Sequence, residues 1–271
     1  MGRVGEEQTI DLITVDWNSD PTPDTPLTVV FYKRHWYSVQ EKGEDGRFYW
    51  TWEAEDTPVY TTTLTTASDG QAAAAFTPEE GGVYKIAAWG RDELENKVQS
   101  STFMWVSGRE YVSWRMENND RIDLISDKKT YHVGDVAEIL VPSPYQGRVQ
   151  ALLTIERGRI IEHKLIALES NSDVIKLPIL PDYAPDVFVS LVIVKGMDET
   201  NPLSSFKIGY IKLPVSTEEK ELVVRLTPDK ESYQPREKVT YQIETTDHSG
   251  RPVQTELSLD LVDKAVLALA G

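Results

Sequence analysis

The sequence predicts an all-β protein made of β-sandwich domains in tandem, and two observations support this prediction. The first is an internal repeat: DKKTY at residues 127–131 and DKESY at residues 229–233 lie 102 residues apart, and a strand-like run follows each. The second is the regular spacing of short β-branched and aromatic runs between Gly, Pro, Asn and Asp turns. A period of about a hundred residues indicates a row of similar small domains.

The repeat divides the 271 residues into three units, at 1–108, 109–217 and 218–271. A hydrophobic content of 40% gives units of this size enough apolar surface to bury cores of their own. The third unit is half the length of the others, so we expect it to be incomplete. The start, MGRVGEEQ, resembles an expression start rather than a signal peptide, and the end, LALAG, stops within an apolar run. We therefore expect a piece of a longer protein.

The first unit reads as seven strands separated by turns, the number typical of a β-sandwich. In the first of them Ile13, Val15 and Trp17 share one face. QAAAAF is predicted to be a strand although alanine favours helices, because Thr77-Pro78 ends it and both neighbours are strands. A hairpin turn is expected at Asp45-Gly46. The predicted strands lie at 12–17, 27–37, 47–53, 59–66, 71–76, 83–89 and 98–106.

The second unit contains the clearest alternating strand, at residues 149–156, where only Leu152 breaks the pattern. A turn at residues 156–159 leads to its partner strand at 160–168. The run FVSLVIV, at 188–194, is apolar on both faces, which predicts a central strand covered on both sides. The last strand is expected at 206–215.

The third unit begins near Glu219 with two alternating runs, around Tyr241 and at residues 253–261, joined by a turn at 248–250. After Asp263 the alternation ends, and KAVLALA has a helical composition that Asp263 could cap. Because its partner strands are missing, we expect the apolar face of residues 253–261 to be partly uncovered. The unit should be less ordered or associate with another molecule.

Composition excludes several classes of function. A formal net charge of −16, with no Lys/Arg block longer than two, argues against nucleic acid as a partner. The absence of cysteine excludes disulfides, a thiol nucleophile and a zinc–thiolate site. No stretch approaches the roughly 18 apolar residues of a membrane-spanning helix.

A search for chemistry finds no catalytic, cofactor-binding or metal-binding residues to predict. The chain has neither a G-x-S-x-G motif nor a phosphate-binding glycine loop, and its histidines lack the spacing of a zinc site. Two acidic groups, Asp120 with Asp123 and residues 53–56, are expected by chance among 44 acidic residues. The loop at 118–120 has oxygen ligands that suit calcium but not the EF-hand pattern. Phe48, Trp50 and Trp52 share a face that suits a core better than a sugar platform. The four histidines are His35, His132, His163 and His248.

Four segments of the second and third units resemble the bacterial branch of the alpha-2-macroglobulin family. They are DKKTYHVGDVAEILVPSPYQG at 127–147, LLTIERG at 152–158, YAPDVFVSLVIVKG at 183–196 and PDKESYQPREKVTYQIETTDHSGRPVQTELSLDLVDKAVLAL at 228–269. One departure is Arg236, where the family usually has glycine. If that glycine serves a positive-φ turn, arginine there costs about 1 kcal/mol. The segment at 65–96 resembles the second half of a macroglobulin-like domain.

The resemblance implies tandem macroglobulin-like, immunoglobulin-like sandwiches, about the fourth, the fifth and the start of the sixth in such a protein. The third unit would be the start of the domain that carries the bait region. In this family a protease cuts a flexible bait segment, the domains collapse around the protease, and in many members a Cys–Gln thioester traps it. The chain has no cysteine and ends where the bait is expected to begin. The resemblance therefore implies an inert scaffold piece, not an enzyme.

The implied partners are target proteases, met through other parts of the parent protein, and neighbouring macroglobulin-like domains. The implied location is extracellular or periplasmic, with a membrane anchor possible in the parent. Bending is expected at linkers near Gly108 and at residues 215–219. Two alternatives remain open: the repeats of a bacterial surface adhesin or stalk, and an accessory module of a glycan-active enzyme. We also expect self-association through the incomplete third unit.

Overall fold

The computed structural model describes residues 1–44, 48–92, 94–115, 117–198, 204–234 and 236–262, and these segments form an all-β protein. The chain divides into two compact units, Met1–Val215 and Ser216–Gly271. The first compact unit, which combines the first two of the three sequence units, contains two complete sandwiches with separate cores. None of the helices in the described segments is both long and apolar enough to cross a membrane.

The first sandwich packs a two-stranded sheet, β2–β5, against a five-stranded sheet with the strand order β1-β7-β6-β3-β4. QAAAAF is strand β5, so the prediction for this segment is confirmed. The strands are β1 (Gly2–Arg3), β2 (Gln8–Ile13), β3 (Pro26–Lys42), β4 (Phe48–Thr65), β5 (Gln71–Phe76), β6 (Gly82–Arg91) and β7 (Lys97–Ser107).

The core of the first sandwich lies between these sheets and includes Phe31, Ile86 and Val106. The first predicted strand, at 12–17, differs from the structure, where β2 spans Gln8–Ile13. Ile10 and Leu12 pack against the core, whereas Ile13, Val15 and Trp17 are exposed. The prediction was wrong because β2 ends at Ile13 and the chain then turns, so the apolar alternation continues into a loop that faces solvent.

Strands β3 and β4 form a hairpin longer than its sheet. They pair from Pro26 opposite Thr65 to Lys42 opposite Phe48, whereas β6 pairs with β3 only from Thr28 to Arg34. From His35 onward the hairpin is therefore a two-stranded ribbon. The separate strands predicted at 47–53 and 59–66 are one strand, because the pairing with β3 continues through both. The turn predicted at Asp45-Gly46 lies outside the described residues.

The second sandwich packs a three-stranded sheet, β13-β10-β9, against a five-stranded sheet with the order β12-β11-β14-β15-β8. A short 3₁₀ helix, Pro181–Tyr183, precedes β14. The strands are β8 (Arg121–Ile122), β9 (Ile125–Ser126), β10 (Val136–Pro142), β11 (Val149–Glu156), β12 (Ile160–Leu168), β13 (Ser172–Pro178), β14 (Asp186–Lys195) and β15 (Ser205–Pro214).

The core of the second sandwich confirms the alternation predicted for β11. Leu153 and Ile155 are buried, while Leu152 faces outward. Strand β14 is central in its sheet, as predicted, but it is not covered on both sides. Leu191 is buried on the inner face, whereas Val194 on the outer face is 62% exposed.

The second compact unit holds one hairpin, formed by β16 (Leu222–Pro228) and β17 (Tyr241–Asp247), after a 3₁₀ turn at Glu218–Lys220. The turn predicted at 248–250 is confirmed, with Gly250 at φ +79°. The strand predicted at 253–261 is wrong in the described structure: apart from a bridge at Pro252 and a hydrogen bond at Val253, this segment joins no sheet. Its apolar residues are uncovered, as expected. The helix predicted after Asp263 lies outside the described residues.

The repeat detected in the sequence is also a repeat of hydrogen bonds. In the loop that opens the second sandwich, the Tyr131 hydroxyl donates to Asp127 Oδ1 over 2.7 Å and accepts the Lys128 amide hydrogen. The same carboxylate accepts the Glu138 amide hydrogen over 2.8 Å.

Every one of these bonds recurs 102 residues later. The Tyr233 hydroxyl donates to Asp229 and accepts the Lys230 amide hydrogen over 3.0 Å. Asp229 also accepts the Thr240 amide hydrogen over 3.1 Å. The two loops therefore have the same internal construction.

Candidate functional site

In the described part of the chain, most buried polar contacts lie where the two sandwiches of the Met1–Val215 unit meet. We call this region the junction. The junction comprises the connecting segment at residues 108–115 together with the side chains that contact it. Four buried apolar side chains form its centre, and they come from both sandwiches and from the connecting segment. They are Val83, Val112, Trp114 and Leu140.

Asn171 holds the connecting segment by its backbone and side chain together. Its side-chain oxygen accepts the Val112 amide hydrogen over 3.1 Å, and its side-chain nitrogen donates to the Val112 carbonyl over 2.7 Å. The Asn171 carbonyl accepts the Trp114 indole hydrogen over 2.7 Å and the Ser143 amide hydrogen over 3.0 Å. With Asn171 only 3% exposed, these bonds replace the water that the polar groups would otherwise need.

Two glycines allow the backbones to approach closely. A Cβ on Gly81 would lie 2.8 Å from Val112 Cγ2 and 3.1 Å from the Gly108 Cα. A Cβ on Gly108 would lie 3.2 Å from the Gly81 Cα. The Gly108 amide also donates to Ser172 Oγ over 3.1 Å. Only hydrogen fits at these positions without movement of the backbone.

An ion-pair network joins the first strand to the second sandwich. Arg3 Nη2 lies 2.5 Å from Glu138 Oε2, and Lys176 Nζ lies 3.2 Å from Glu138 Oε1. Partial burial acts to raise the pKa of Glu138, but the hydrogen bonds from Arg3 and Lys176 outweigh it and the net pKa is lowered. Glu138 is therefore held as a carboxylate between two cations.

Lys33 is a buried cation at the edge of the junction. Its ammonium group donates to the Gly81 carbonyl, lies 4.8 Å from the centre of the Tyr84 ring and is 3.9 Å from Glu80 Oε2. Burial lowers the pKa of Lys33, and the nearby Glu80 partly opposes this effect. The bond to Gly81 fixes the backbone that the connecting segment packs against.

The connecting segment also contacts the β3–β4 ribbon. Ser113 Oγ donates to the Trp36 carbonyl over 2.7 Å. The Arg115 guanidinium lies 3.7 Å from the centre of the Trp52 ring, a cation–π contact. The connecting segment is thus hydrogen-bonded at Gly108 and held at residues 112–115, whereas residues 109–111 are exposed, and bending near Gly108 stays a prediction.

The residues considered for chemistry do not converge. His35, His132, His163 and His248 lie on different elements, and the described residues contain no cluster of three or more potential metal ligands. Asp56 is paired with Arg34 over 2.6 Å and with Lys85 over 3.3 Å. The hydrogen bond from Arg34 lowers the pKa of Asp56, which therefore serves an ion pair.

The loop considered for calcium is occupied by a protein cation. The ammonium group of Lys207 donates to the Asn119 carbonyl, and the Asn119 side chain accepts the Arg121 amide hydrogen over 2.8 Å. In the aromatic segment 48–52, the guanidinium of Arg115 stacks on Trp52. The side chains of Phe48 and Trp50 lie outside the described residues.

Sequence reasoning missed the residues that build the junction. Asn171 is a single polar residue between two predicted strands, and nothing in its local pattern marks it as buried. Two signals were available: the Gly81-Gly82 pair, which permits a close backbone approach, and Trp114, the last tryptophan of the chain. Contacts between domains depend on which surfaces meet, and local periodicity does not carry that information.

The fold is a row of β-sandwiches joined by a packed junction, and comparison with known proteins identifies the family. Residues 122–269 match the family model described as alpha-2-macroglobulin bait region domain, and residues 1–106 match bacterial macroglobulin domain 6. The chain belongs to the alpha-2-macroglobulin family, in its bacterial branch. The second match corrects the predicted position of the domains in the family's order: residues 1–106 correspond to the sixth macroglobulin domain, not to about the fourth.

Similar proteins include an alpha-2-macroglobulin homolog of Nostoc, 27% identical over 81% of this chain and 12% of the relative. The alpha-2-macroglobulin of Escherichia coli is 23% identical over 81% of this chain and 14% of its own length. The cryo-EM structure of native E. coli alpha-2-macroglobulin covers 92% of this chain and 16% of the solved chain, with 19% identity and a TM-score of 0.36. The chain thus spans about an eighth of the length of the curated relatives.

Proposed function

We propose that this chain is part of the frame of a broad-spectrum protease-trapping protein, in which it has a mechanical and not an enzymatic role. In such a protein a protease cuts an exposed bait segment, and the loss of that segment lets the surrounding domains close around the protease. A frame for this event has to keep its own domains in fixed positions. The chain does not itself contain the trigger in this proposal.

The observation that supports the proposal is the bonding of Asn171 to Val112 and Trp114 at the junction. Close-packed interiors resist deformation, so two sandwiches that share buried contacts move as one body. Rigid-body motion of domains is one of the established forms of conformational switching. A stiff pair of sandwiches next to the bait region would hold the bait segment in place until it is cut.

The partners in this proposal are target proteases, contacted through other parts of the longer protein, and neighbouring macroglobulin-like domains. The proposed location is extracellular or periplasmic, where foreign proteases are met, with anchoring to a membrane through the longer protein. The boundaries 1–108, 109–217 and 218–271 remain our proposal for the domains. The bait-region match begins at residue 122, so it includes the second unit as well as the third.

The test uses the longer protein that carries this chain, incubated with an endopeptidase. A trap that closes around a protease blocks cleavage of a large protein substrate but leaves the active site open to a small peptide substrate. We expect this difference, together with a change in hydrodynamic radius after one cut. Equal inhibition of both substrates, or no inhibition of either, would overturn the proposal.

A matched pair of variants tests the role of the junction. We expect Asn171→Ala to leave the bait cut unchanged but to reduce the fraction of protease that is trapped. The control is Asn119→Ala, an exposed asparagine of the same fold. If both variants trap protease as well as the parent does, the junction has no part in the mechanism.

The adhesin alternative has weaker support, because both sandwiches of the chain match macroglobulin-type family models. It makes a different prediction for the same experiment. A stalk of passive repeats would be cut by the protease without closing around it, so the hydrodynamic radius would stay the same or increase.

A further inference from the structure

The β3–β4 ribbon receives little support from its own sandwich. From His35 to Lys42, β3 pairs with β4, whereas its pairing with β6 ends at Arg34. Tyr37 and Val39, on one face of the ribbon, are 54% and 59% exposed. An isolated two-stranded hairpin is only marginally stable in water. The ribbon therefore needs contacts from elsewhere in the chain to stay ordered.

Two residues of the connecting segment hold the other face of the ribbon. Ser113 Oγ donates to the Trp36 carbonyl over 2.7 Å. The Arg115 guanidinium lies 3.7 Å from the centre of the Trp52 ring and 5.7 Å from that of the Trp36 ring. The two indole rings meet edge to face, with their centres 5.4 Å apart. Arg115 thus packs against a pair of rings, one from each strand of the ribbon.

The same segment is anchored in the junction by its alternate residues. Val112 and Trp114 are each 5% exposed, and both are hydrogen-bonded to Asn171 of the second sandwich. Ser113 and Arg115 instead contact the ribbon. Four consecutive residues therefore alternate between the junction and the ribbon, and neither pair can move far without displacing the other.

The contact with the ribbon includes an unfavourable feature. Trp36 Nε1 is buried, and among the described residues it has no hydrogen-bond partner. A buried donor of this kind loses its hydrogen bonds to water without a replacement. Separation of the ribbon from the connecting segment would return this N–H group to water. The held and released arrangements are therefore closer in free energy than the favourable contacts alone would make them, which suits an element that switches.

We propose that residues 112–115 form a latch, which holds the ribbon while the junction is intact and releases it when the junction opens. Residues 109–111, just before the latch, are exposed, so this part of the segment can adjust when the latch moves. Coupling between two sites is reciprocal, so weaker contacts with the ribbon should also loosen the junction. The inference does not depend on protease trapping, because it concerns only contacts within this chain.

Hydrogen exchange of the whole chain tests the latch. Arg115→Ala removes the cation–π contact and should speed exchange of the ribbon amides about tenfold. The Trp114 indole hydrogen is bonded to the Asn171 carbonyl, and through the coupling its exchange should speed about fivefold. Faster exchange in the ribbon with an unchanged Trp114 indole would show packing without coupling and would overturn the proposal. A ribbon whose exchange does not change would overturn it as well.

Matched variants separate the latch from general effects of the substitution. Arg91→Ala removes an exposed arginine of the first sandwich that pairs with Glu95, and it should change neither exchange rate. Arg115→Lys keeps the charge but lacks the planar group that stacks on a ring, so it should retain only part of the protection of the ribbon. Full protection with lysine, or faster exchange in Arg91→Ala, would contradict the role of Arg115 in the latch.

The coupling is also tested in the reverse direction, from the junction. Asn171→Ala removes two side-chain hydrogen bonds to Val112 and should speed exchange of the ribbon amides about fivefold. Marginal elements exchange by local opening, so a general loss of stability does not by itself change the exchange rate of the ribbon. A ribbon that exchanges at the parent's rate in this variant would overturn the proposal.

A distance measurement gives an independent readout. The chain has no cysteine, so Glu41→Cys in the ribbon and His163→Cys on β12, both at exposed positions, provide two sites for spin labels. A narrow distribution of distances is expected in the labelled chain, and a broader one after Arg115→Ala. A broad distribution before that substitution, or the same distribution after it, would overturn the proposal.

Discussion

Gly134 and Arg236 occupy the same position in two copies of one loop, and both have a positive φ, +91° and +71°. The sequence predicted a strained arginine if the loop requires a positive φ at position 236, and Arg236 does have a left-handed backbone. Glycine adopts this conformation without steric cost, whereas a residue with a Cβ is strained by about 1 kcal/mol. The second copy of the loop therefore keeps its hydrogen bonds at a cost that the first does not have.

Replacing Arg236 with glycine should stabilise the second copy of the loop by about 1 kcal/mol, because it removes the strain. Amide exchange of Lys230 and Thr240, whose amide hydrogens are bonded within the loop, should slow about fivefold. The control is Gly134→Ala, which places a Cβ in open space and should destabilise the first copy through φ alone. Faster exchange in the Arg236→Gly variant would contradict this account.

The substitution Asn171→Ala should destabilise the Met1–Val215 unit by about 3 kcal/mol. It leaves the buried Val112 amide without a partner and removes one of the two hydrogen bonds to the Val112 carbonyl, which keeps the bond from the Trp114 amide. Denaturant unfolding followed by tryptophan fluorescence measures the change. Asn119→Ala, on the surface, is expected to cost less than about 0.5 kcal/mol. Equal effects of the two substitutions would mean that the Asn171 contacts do not stabilise the junction.

The substitution Gly81→Ala should also destabilise the Met1–Val215 unit, by about 1–3 kcal/mol, because the added methyl group would overlap Val112 and the Gly108 backbone. Gly196→Ala provides the matched control, since nothing lies within 4 Å of a Cβ at that position. The free energies of unfolding of the two variants are compared with that of the parent. A neutral Gly81→Ala variant would show that the sandwiches separate easily.

Acid should weaken the junction through Glu138. The pKa of this carboxyl is lowered from 4.5 by Arg3 and Lys176. A lowered pKa means stability that is present above the unfolded-state pKa and is lost as the pH falls through the folded-state value. The stability difference between the parent and Glu138→Gln should therefore be largest near neutral pH and should shrink below about pH 4.5. A difference that is constant from pH 7 to acid would contradict the ion-pair assignment.

Much of the fold could be predicted because strand formation follows local alternation. The core face of β11 was correct for this reason, whereas the strand QAAAAF was correct because the end at Thr77-Pro78 and the neighbouring strands outweighed the helix propensity of alanine. The repeat was also correct, since its loop residues bond to one another within about a dozen positions. The strand predicted at 12–17 was wrong because alternation alone does not indicate where a strand ends. The β3–β4 ribbon was missed because its length depends on pairing between distant residues.

The sequence by itself determined the all-β class, the 102-residue period, the family and the positive-φ loop position, since each can be identified from short local motifs and their spacing. Only the tertiary structure decided that Asn171 binds the connecting segment, that Val112 and Trp114 of this segment are buried, and that the outer face of β14 is exposed. The physical reason is that the burial of a residue depends on which two surfaces come into contact. A residue's own neighbours in sequence do not specify which distant surface will exclude water from it.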